Sequence, residues 1–291
     1  MSKCKISAGE TVGGCIKWIR NWFEENGKGC NAIIGISGGK DSTVTAKLCV
    51  EALGKDRVIG IMMPKISNTL LGSAVNAIDS LLYEYKTQIS LDDNVETINK
   101  YISAINALKD GYKVCQYLGI KHYVVNISDA YEAIINRIGK IPGENGISEQ
   151  TKINLSPRLR MSTLYAVAQS MNGRVVNTSN ASELYVGYGT RWGDVVGDVA
   201  PLANFTCTEV KAIGKILGIP DEFVNRVPDD GLCGKSDEES FGFTYAELDS
   251  YIRDENVSYD RAASIVAAID EMHKKSEFKR QPIASFPNKG E

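Results

Sequence analysis

The stretch Ala32-Ile33-Ile34-Gly35-Ile36-Ser37-Gly38-Gly39-Lys40-Asp41-Ser42 runs from an apolar segment through a pair of glycines into a helical pattern. Residues 32–36 are apolar and mostly β-branched, and they lack the alternation of a half-exposed strand. They therefore predict a strand that is covered on both faces, as in a parallel sheet. A helix is predicted from residue 42 to about residue 53, where Gly54 ends it.

The same succession of strand and helix continues along the chain. Further strands are predicted at 58–62, 122–127 and 174–178, and further helices at 11–26, 128–138, 156–171, 206–218 and 258–275. The helix at 156–171 is expected to begin with Ser156 as its N-cap and Pro157 as its first residue. Strands separated by helices indicate right-handed βαβ units. We expect an open, mostly parallel, doubly wound (Rossmann-like) α/β sheet with helices on both faces and a ligand site at the carboxyl ends of its strands.

Residues 67–106 do not fit this alternation. The segment is polar and mostly helical in character, with apolar residues at helical spacing such as Ile98, Ile102 and Ile105. We interpret it as a helical insertion in a single domain that spans residues 1–291.

Composition and charge exclude several classes of protein. With 291 residues, 43% hydrophobic and 24% charged, the chain can bury a sizeable core. A formal charge of -3 argues against a nucleic-acid partner, because binding to the phosphate backbone needs a basic surface. No apolar stretch approaches the roughly 18 residues of a membrane span, so we expect no membrane partner. The 7 cysteines form no C-x-x-C pair, which favours reduced thiols in a cytoplasmic protein over a zinc site or disulfides.

The turn after the first strand has the features of a phosphate-binding loop. Gly38 and Gly39 let backbone N–H groups point together at an anion, and the hydroxyls of Ser37 and Ser42 and the helix N-terminus add to this attraction. The P-loop pattern fails, because Lys40 is followed by an acid. Since that acid, Asp41, would repel phosphate, it predicts a Mg2+ ion between itself and the ligand. An ordinary strand-to-helix turn explains the glycines but not the other four residues.

Ser-Gly-Gly-Lys-Asp-Ser resembles the SGGxDS motif of the ATP pyrophosphatases. Those enzymes cleave ATP between its α and β phosphates and adenylate a substrate oxygen, which a nitrogen or sulfur nucleophile then displaces. The resemblance implies ATP as co-substrate and an ATP-binding loop made of Gly35, Ile36, Ser37, Gly38, Gly39, Lys40, Asp41 and Ser42. We assign catalytic roles to Asp41 and, from its place in the loop, to Lys40; the alternative for Lys40 is a side chain that faces solvent.

The second half of the chain resembles the NAD synthetase family. The matching segments are N-x-x-x-R-x-R-M at 154–161, T-x-x-x-x-E at 178–183, T-R-W-G-D at 190–194, D-x-x-P-L at 198–202, and shorter signatures at 228–232, 236–238 and 278–282. The resemblance implies a homodimer that amidates deamido-NAD with ammonia and ATP. Because glutamine-using members carry an added amidase domain, a length of 291 residues implies free ammonia or a separate subunit that supplies it.

The same resemblance implies site residues. It makes Glu183 the second Mg2+ ligand beside Asp41, places Thr178 at ATP, and places Arg158, Arg191, Asp198, Phe278 and Lys279 at deamido-NAD. Arg160 lies two residues from Arg158 and must face elsewhere on a helix, so it is structural or pairs with an acid. Simpler interpretations stay open: Glu183 as a first-turn residue favoured by the helix dipole, Arg191 as an exposed loop charge, and Lys279 as part of a solvated helix end.

Three positions depart from the family pattern. Cys207 stands where the family often has a lysine that contacts ATP, and Lys211, one helical turn on, is our predicted substitute. Asp229 replaces a hydroxyl residue in the ATP site, and Phe278 replaces a histidine. These departures leave two alternatives: another ATP pyrophosphatase, such as a tRNA-thiolating enzyme, or a nucleotide-binding homologue with impaired catalysis.

Overall fold

The computed structural model describes residues 8–66, 95–141, 146–225, 237–253 and 262–286. Four strands are present in this part of the chain: β1 (Asn31–Gly35), β2 (Val58–Met62), β3 (Lys121–Val124) and β4 (Gly173–Val176). The helices are α1 (Ala8–Asn26), α2 (Lys40–Leu53), α3 (Val95–Leu118), α4 (Ser128–Ile138), α5 (Glu149–Ser170), α6 (Ala181–Val186), α7 (Cys207–Ile216), α8 (Asp221–Val224), α9 (Asp237–Phe241), α10 (Tyr245–Ile252) and α11 (Ala262–Arg280). No helix within these ranges is long and apolar enough to cross a membrane.

The strands form one parallel sheet in the order β3-β2-β1-β4. Ile33 in the central strand is paired with Ile59 on one side and with Val175 on the other. The chain moves outward from β1 through β2 to β3, and β4 is then added on the opposite side of β1. The strand order therefore reverses between β1 and β4, which is where open α/β sheets bind ligands.

Helices cover both faces of the sheet, as predicted. On one face, α1, α2, α3 and α7 pack on side chains such as Ala32 and Ile34 to form the larger core. On the other face, α5 packs on Ile33, Ile61 and Val175. A third cluster joins α6, α7, α9, α10 and α11 beyond the sheet. The doubly wound α/β class is confirmed.

The start of α5 is a correction to the sequence prediction. The helix begins at Glu149 and not at Ser156, because Ser148 is its N-cap and its hydroxyl accepts a hydrogen bond from the Thr151 amide. Pro157 therefore lies inside the helix, where its ring removes one backbone hydrogen bond without ending the element. The predicted Ser156 cap is wrong, since Ser156 lies within the helix and its side chain is buried.

The segment interpreted as an insertion is described only in part. Residues 67–94 lie outside the described residues, and residues 95–106 belong to α3, which continues to Leu118 without a break. The helical character predicted for that last part is confirmed. The insertion itself and the single-domain boundaries stay predictions.

Candidate active site

The glycine turn lies at the carboxyl end of β1, and α3 packs directly against it. Gly38 has a φ of +80°, and a Cβ added there would lie 2.7 Å from the Asp110 Cβ and 2.8 Å from the Gly111 amide nitrogen. Both the backbone angle and this contact require glycine. The turn is thus held in one shape by a helix from a distant part of the chain.

The serine hydroxyls are turned toward each other inside the turn. The Ser37 Oγ accepts a hydrogen bond from the Gly39 amide at 3.2 Å and lies 3.2 Å from the Ser42 Oγ. Helix α2 begins directly afterwards, with Gly39 at the N-cap, a residue that has no side chain with which to cap the helix. The first turn of α2 therefore presents backbone N–H groups and the positive end of the helix dipole to a ligand.

Asp41 and Glu183 approach the point where the strand order reverses from its two sides, and their role as metal ligands stays a prediction. Asp41 follows β1, Glu183 follows β4, and Asn180 connects them. The Asn180 amide donates to the Asp41 Oδ1 at 3.1 Å, and its oxygen accepts from the Glu183 backbone amide at 3.0 Å. Glu183 in return accepts from the Asn180 backbone at 3.2 Å, which completes a capping box on α6. This geometry also agrees with the simpler interpretation, in which Glu183 is a first-turn residue that stabilises α6.

Lys40 is buried and points at this acid pair. Its Nζ lies 2.8 Å from the Asp41 Oδ2 and 5.5 Å from the centre of the Tyr245 ring. Burial opposes its charge, but Asp41, Cys207 and Glu183 together raise the pKa of Lys40. Burial and the neighbouring Asp41 raise the pKa of Glu183 to about 8, against the opposing effect of Lys40.

A third carboxylate completes what we call the acidic site: Asp41, Glu183 and Asp237, with Lys40 among them. Asp237 is buried and accepts a hydrogen bond from the Tyr245 hydroxyl at 2.9 Å. Its charge also contributes to the raised pKa of Glu183. Sequence reasoning gave no role to Asn180, Asp237 or Tyr245. The Asn180-x-x-Glu183 spacing, a capping-box pattern, was the one signal that could have indicated Asn180.

The donor chemistry of the acidic site fits Mg2+. Carboxylate oxygens are the ligands that this ion prefers, and it commonly takes one or two of them together with substrate phosphates and water. Within the described ranges, no group of three or more histidine, cysteine or acidic side chains is arranged to hold a metal alone. Asp41 and Glu183 would therefore supply part of the ligand set, and water or phosphate oxygens the rest.

Cys207 lies beside the acidic site as the first residue of α7. Its backbone amide donates to the Ser182 hydroxyl at 2.9 Å, and Asp249 accepts from both Ser182 and the Thr208 amide. Burial raises the pKa of the Cys207 thiol to about 12, with a smaller opposing effect from the charge of Lys211. Lys211 thus lies within electrostatic range of Cys207, and its predicted contact with ATP stays a prediction. Asp229 lies outside the described residues.

A second group of side chains comes together around Arg191. We call Arg158, Arg191, Trp192, Phe278 and Lys279 the cationic cluster. The Arg191 guanidinium lies 5.0 Å from the Trp192 ring centre and 5.6 Å from that of Phe278, and Arg158 donates to the Arg191 carbonyl at 3.4 Å. Trp192 and Phe278 are about half exposed, and Trp192 has a φ of +62°. The Nε of Arg191 is buried without a hydrogen-bond partner in the described part of the chain.

Lys279 and Asp198 are anchored to the fold by hydrogen bonds. Lys279 donates to the carbonyls of Gly187 and Gly189, both at 2.8 Å. Asp198 accepts hydrogen bonds from the Val175 amide at 2.8 Å and the Tyr165 hydroxyl at 3.3 Å, so it braces the edge of β4. Thr178 is half-buried, two residues beyond β4.

Arg160 has a structural contact, which is one of the two alternatives predicted for it. It donates to the Met63 carbonyl, and burial lowers its pKa while the nearby charge of Asp194 opposes that effect.

Comparison with known proteins gives consistent matches along the chain. The family model described as NAD synthase matches residues 12–106 and 77–283. The curated NH(3)-dependent NAD(+) synthetase of Finegoldia magna is 35% identical over 93% of this chain and 92% of its own length. That of Methanocaldococcus jannaschii is 36% identical over 84% of this chain and 80% of its own length. The solved structure of NMN synthetase from Francisella tularensis is 28% identical, with a TM-score of 0.75 and coverage of 98% of this chain and 100% of that chain.

Proposed function

The chain belongs to the NAD synthase family, and from that premise we propose that its acidic site binds ATP with Mg2+ and its cationic cluster binds deamido-NAD. The enzyme is a ligase that forms NAD by ATP-dependent amidation of deamido-NAD with ammonia. The observation that carries the site assignment is the meeting of Asp41 and Glu183 through Asn180, beside the glycine turn and at the reversal of strand order.

The residues of the acidic site divide the work of holding a triphosphate. The turn at Gly38 and Gly39 and the start of α2 supply backbone N–H groups for phosphate oxygens. Asp41 and Glu183 would hold the divalent ion, which neutralises charge that builds up on the phosphates during transfer. We assign no covalent nucleophile to the chain, because positioning and electrostatic stabilisation suffice for attack by the substrate carboxylate on the α-phosphorus.

The cationic cluster supplies the complementary chemistry for a pyridine nucleotide acid. Arg158 and Arg191 offer positive charge for a carboxylate or pyrophosphate, and the half-exposed rings of Trp192 and Phe278 offer flat surfaces for stacking. The Nε of Arg191 is buried and has no hydrogen-bond partner among the described residues, which supports a role in binding, since a ligand oxygen would satisfy it. We also include Asp198 and Lys279 in this site. Each is anchored by structural hydrogen bonds but keeps further hydrogen-bonding capacity with which it could contact the substrate.

The experiment is a product assay with two acceptors. The protein is incubated with ATP, Mg2+, ammonium and deamido-NAD, and NAD, AMP and pyrophosphate are measured. A parallel reaction replaces deamido-NAD with nicotinate mononucleotide, because the Francisella structure is that of an NMN synthetase. We expect NAD with AMP and pyrophosphate in equal amounts. If amide forms only from the mononucleotide, the substrate is nicotinate mononucleotide and not deamido-NAD. If folded protein forms no amide from either acceptor, the proposed function is refuted.

We further propose that the enzyme acts as a homodimer in the cytoplasm. The half-exposed Trp192 and Phe278 support an interface near the cationic cluster, since such rings are enriched at protein interfaces. Light scattering of the purified protein tests this, and a monomer at assay concentration would exclude it.

A further inference from the structure

Lys40 has a placement that its position in the turn does not explain. It stands at the position that SGGxDS leaves open, and phosphate binding would need its ammonium group in the mouth of the turn. Its side chain is instead buried, with 3% of the residue exposed, whereas Ser37 in the same turn is exposed. Lysine is almost never buried in this way unless it is paired.

The surroundings of the ammonium group act together to hold it. Its Nζ donates to the Asp41 Oδ2 at 2.8 Å, and Glu183 and Cys207 lie within electrostatic range. The Tyr245 ring lies 5.5 Å away, in the range where an aromatic face attracts a cation. The Tyr245 hydroxyl is engaged by Asp237, which keeps the ring in place.

We propose that Lys40 is a built-in counter-ion for Asp41 and Glu183 that competes with a divalent cation for Asp41, and that Tyr245 positions its ammonium group. This inference rests on the proposed function, since it assigns a role toward the same metal site. The reason is spatial: both Asp41 oxygens already accept hydrogen bonds, Oδ1 from Asn180 and Oδ2 from Lys40, so a cation that binds Asp41 must share or displace one of these donors. Lys40 is thus a positioning residue. It compensates the charge of the buried carboxylates, and so stabilises the folded protein, until metal and nucleotide bind.

The test measures metal binding without activity. Binding of Mn2+, used as a paramagnetic probe in place of Mg2+, is followed by electron paramagnetic resonance in nucleotide-free protein, and Tm is measured with and without the ion. We expect Lys40→Met to tighten Mn2+ binding about tenfold, the scale on which neighbours of metal ligands act. Its Tm should fall without metal and recover more on adding Mn2+ than that of the unmodified enzyme. Lys47→Met removes the same charge from the exposed side of α2, where Lys47 pairs with Glu51, and should leave Mn2+ binding unchanged.

Further variants keep the result decisive. Lys40→Gln is measured alongside, and serves alone where Lys40→Met does not fold. Tyr245→Leu leaves the ammonium group but removes the ring, and should tighten Mn2+ binding about threefold; Tyr245→Phe keeps the ring and should do so less. Mn2+ binding that is unchanged or weaker in both Lys40 variants would overturn the counter-ion role. Identical binding in the unmodified enzyme and in Asp41→Asn would instead refute the proposed metal site itself.

Discussion

The acidic site and the cationic cluster are built in opposite ways. The acidic site has buried charges, fixed by the ends of two neighbouring strands and by hydrogen bonds through Asn180. The cationic cluster has half-exposed rings and charges contributed by α5, the turn at 190–194 and the end of α11. The first has its charged groups buried and paired before any ligand arrives, whereas the second presents its rings to solvent. Substitutions should therefore affect catalysis in the first and substrate affinity in the second.

The largest effect is expected from Asp41→Asn. This change keeps the size of the side chain and its contact with Asn180 but removes the charge that would hold the metal. We expect kcat to fall about 10²- to 10³-fold, the typical cost of losing an electrostatic contact to the transition state. The measurement is steady-state NAD formation.

The control for Asp41→Asn is Asp56→Asn, in the short turn before β2, which should be fully active. Circular dichroism checks that the fold is retained. Near-normal turnover by Asp41→Asn would contradict the difference between the two regions, because the charge of Asp41 in the acidic site would then not be needed for catalysis.

Arg191→Ala should act on affinity. Loss of the guanidinium removes a charged donor for the substrate acid and the cation that lies against the Trp192 and Phe278 rings. We expect KM for deamido-NAD to rise about 10- to 100-fold, because a hydrogen bond to a charged group contributes about 1.5–3 kcal/mol. The KM for ATP should stay within about twofold on the same reasoning.

Arg137→Ala, at the end of α4, is the matched loss of an arginine elsewhere. It should leave both KM values unchanged. A fall in kcat for Arg191→Ala at constant KM would contradict the division between the two regions, because it would place Arg191 at the transition state.

Much of this contrast was readable from the sequence. The apolar run before Ser37 and the helical pattern after it are local signals, so β1, the turn and α2 were predicted from neighbouring residues. Asp41 and Glu183 both follow strands, and strand ends meet at one edge of a parallel sheet, so their approach followed from topology. Helix geometry also predicted that Arg158 and Arg160 face different directions; with Arg158 placed at the substrate by resemblance, Arg160 was left to be structural or to pair with an acid.

Other features depend on contacts that no local pattern contains. Lys40 is buried beside Tyr245 and Cys207, which are distant in sequence, so the sequence alone indicated an ammonium group that could meet phosphate. Asp237 lies at the acidic site with a hydrogen bond from the Tyr245 hydroxyl, a contact that no local sequence pattern indicates. The start of α5 was mistaken because two cap signals compete, at Ser148 and at Ser156-Pro157, and the upstream one prevails.

Gly38→Ala sharpens the claim that the acidic site is preorganised. The new Cβ would meet α3 at 2.7 Å, whereas Gly54, with a similar φ of +83°, has no atom within 4 Å of its added Cβ. Both alanine variants carry the backbone strain, but only one carries the clash. We expect Gly38→Ala to lower the free energy of unfolding by about 1–3 kcal/mol more than Gly54→Ala does, the usual cost of overpacking. Urea unfolding measures both, and equal losses would mean that α3 does not brace the turn.

The smallest effect is expected from a half-exposed ion pair at the start of α7, where Arg253 donates to Glu209 at 2.8 Å. Partial burial opposes the charge of Glu209, but Arg253 and the Thr206 amide outweigh it and lower the pKa of this carboxyl group. A lowered folded-state pKa means that the stabilisation is present above the unfolded value of about 4.3 and is lost as the pH falls through the folded value. Arg253→Met should therefore lower the free energy of unfolding at pH 7 by about 1 kcal/mol or less, and by almost nothing near pH 3.

Lys47→Met, which breaks the Lys47–Glu51 pair on α2, gives the reference for a simple surface pair. A loss for Arg253→Met that stays constant down to pH 3 would show that Arg253 stabilises α7 through its bond to the Asn204 carbonyl and not through Glu209.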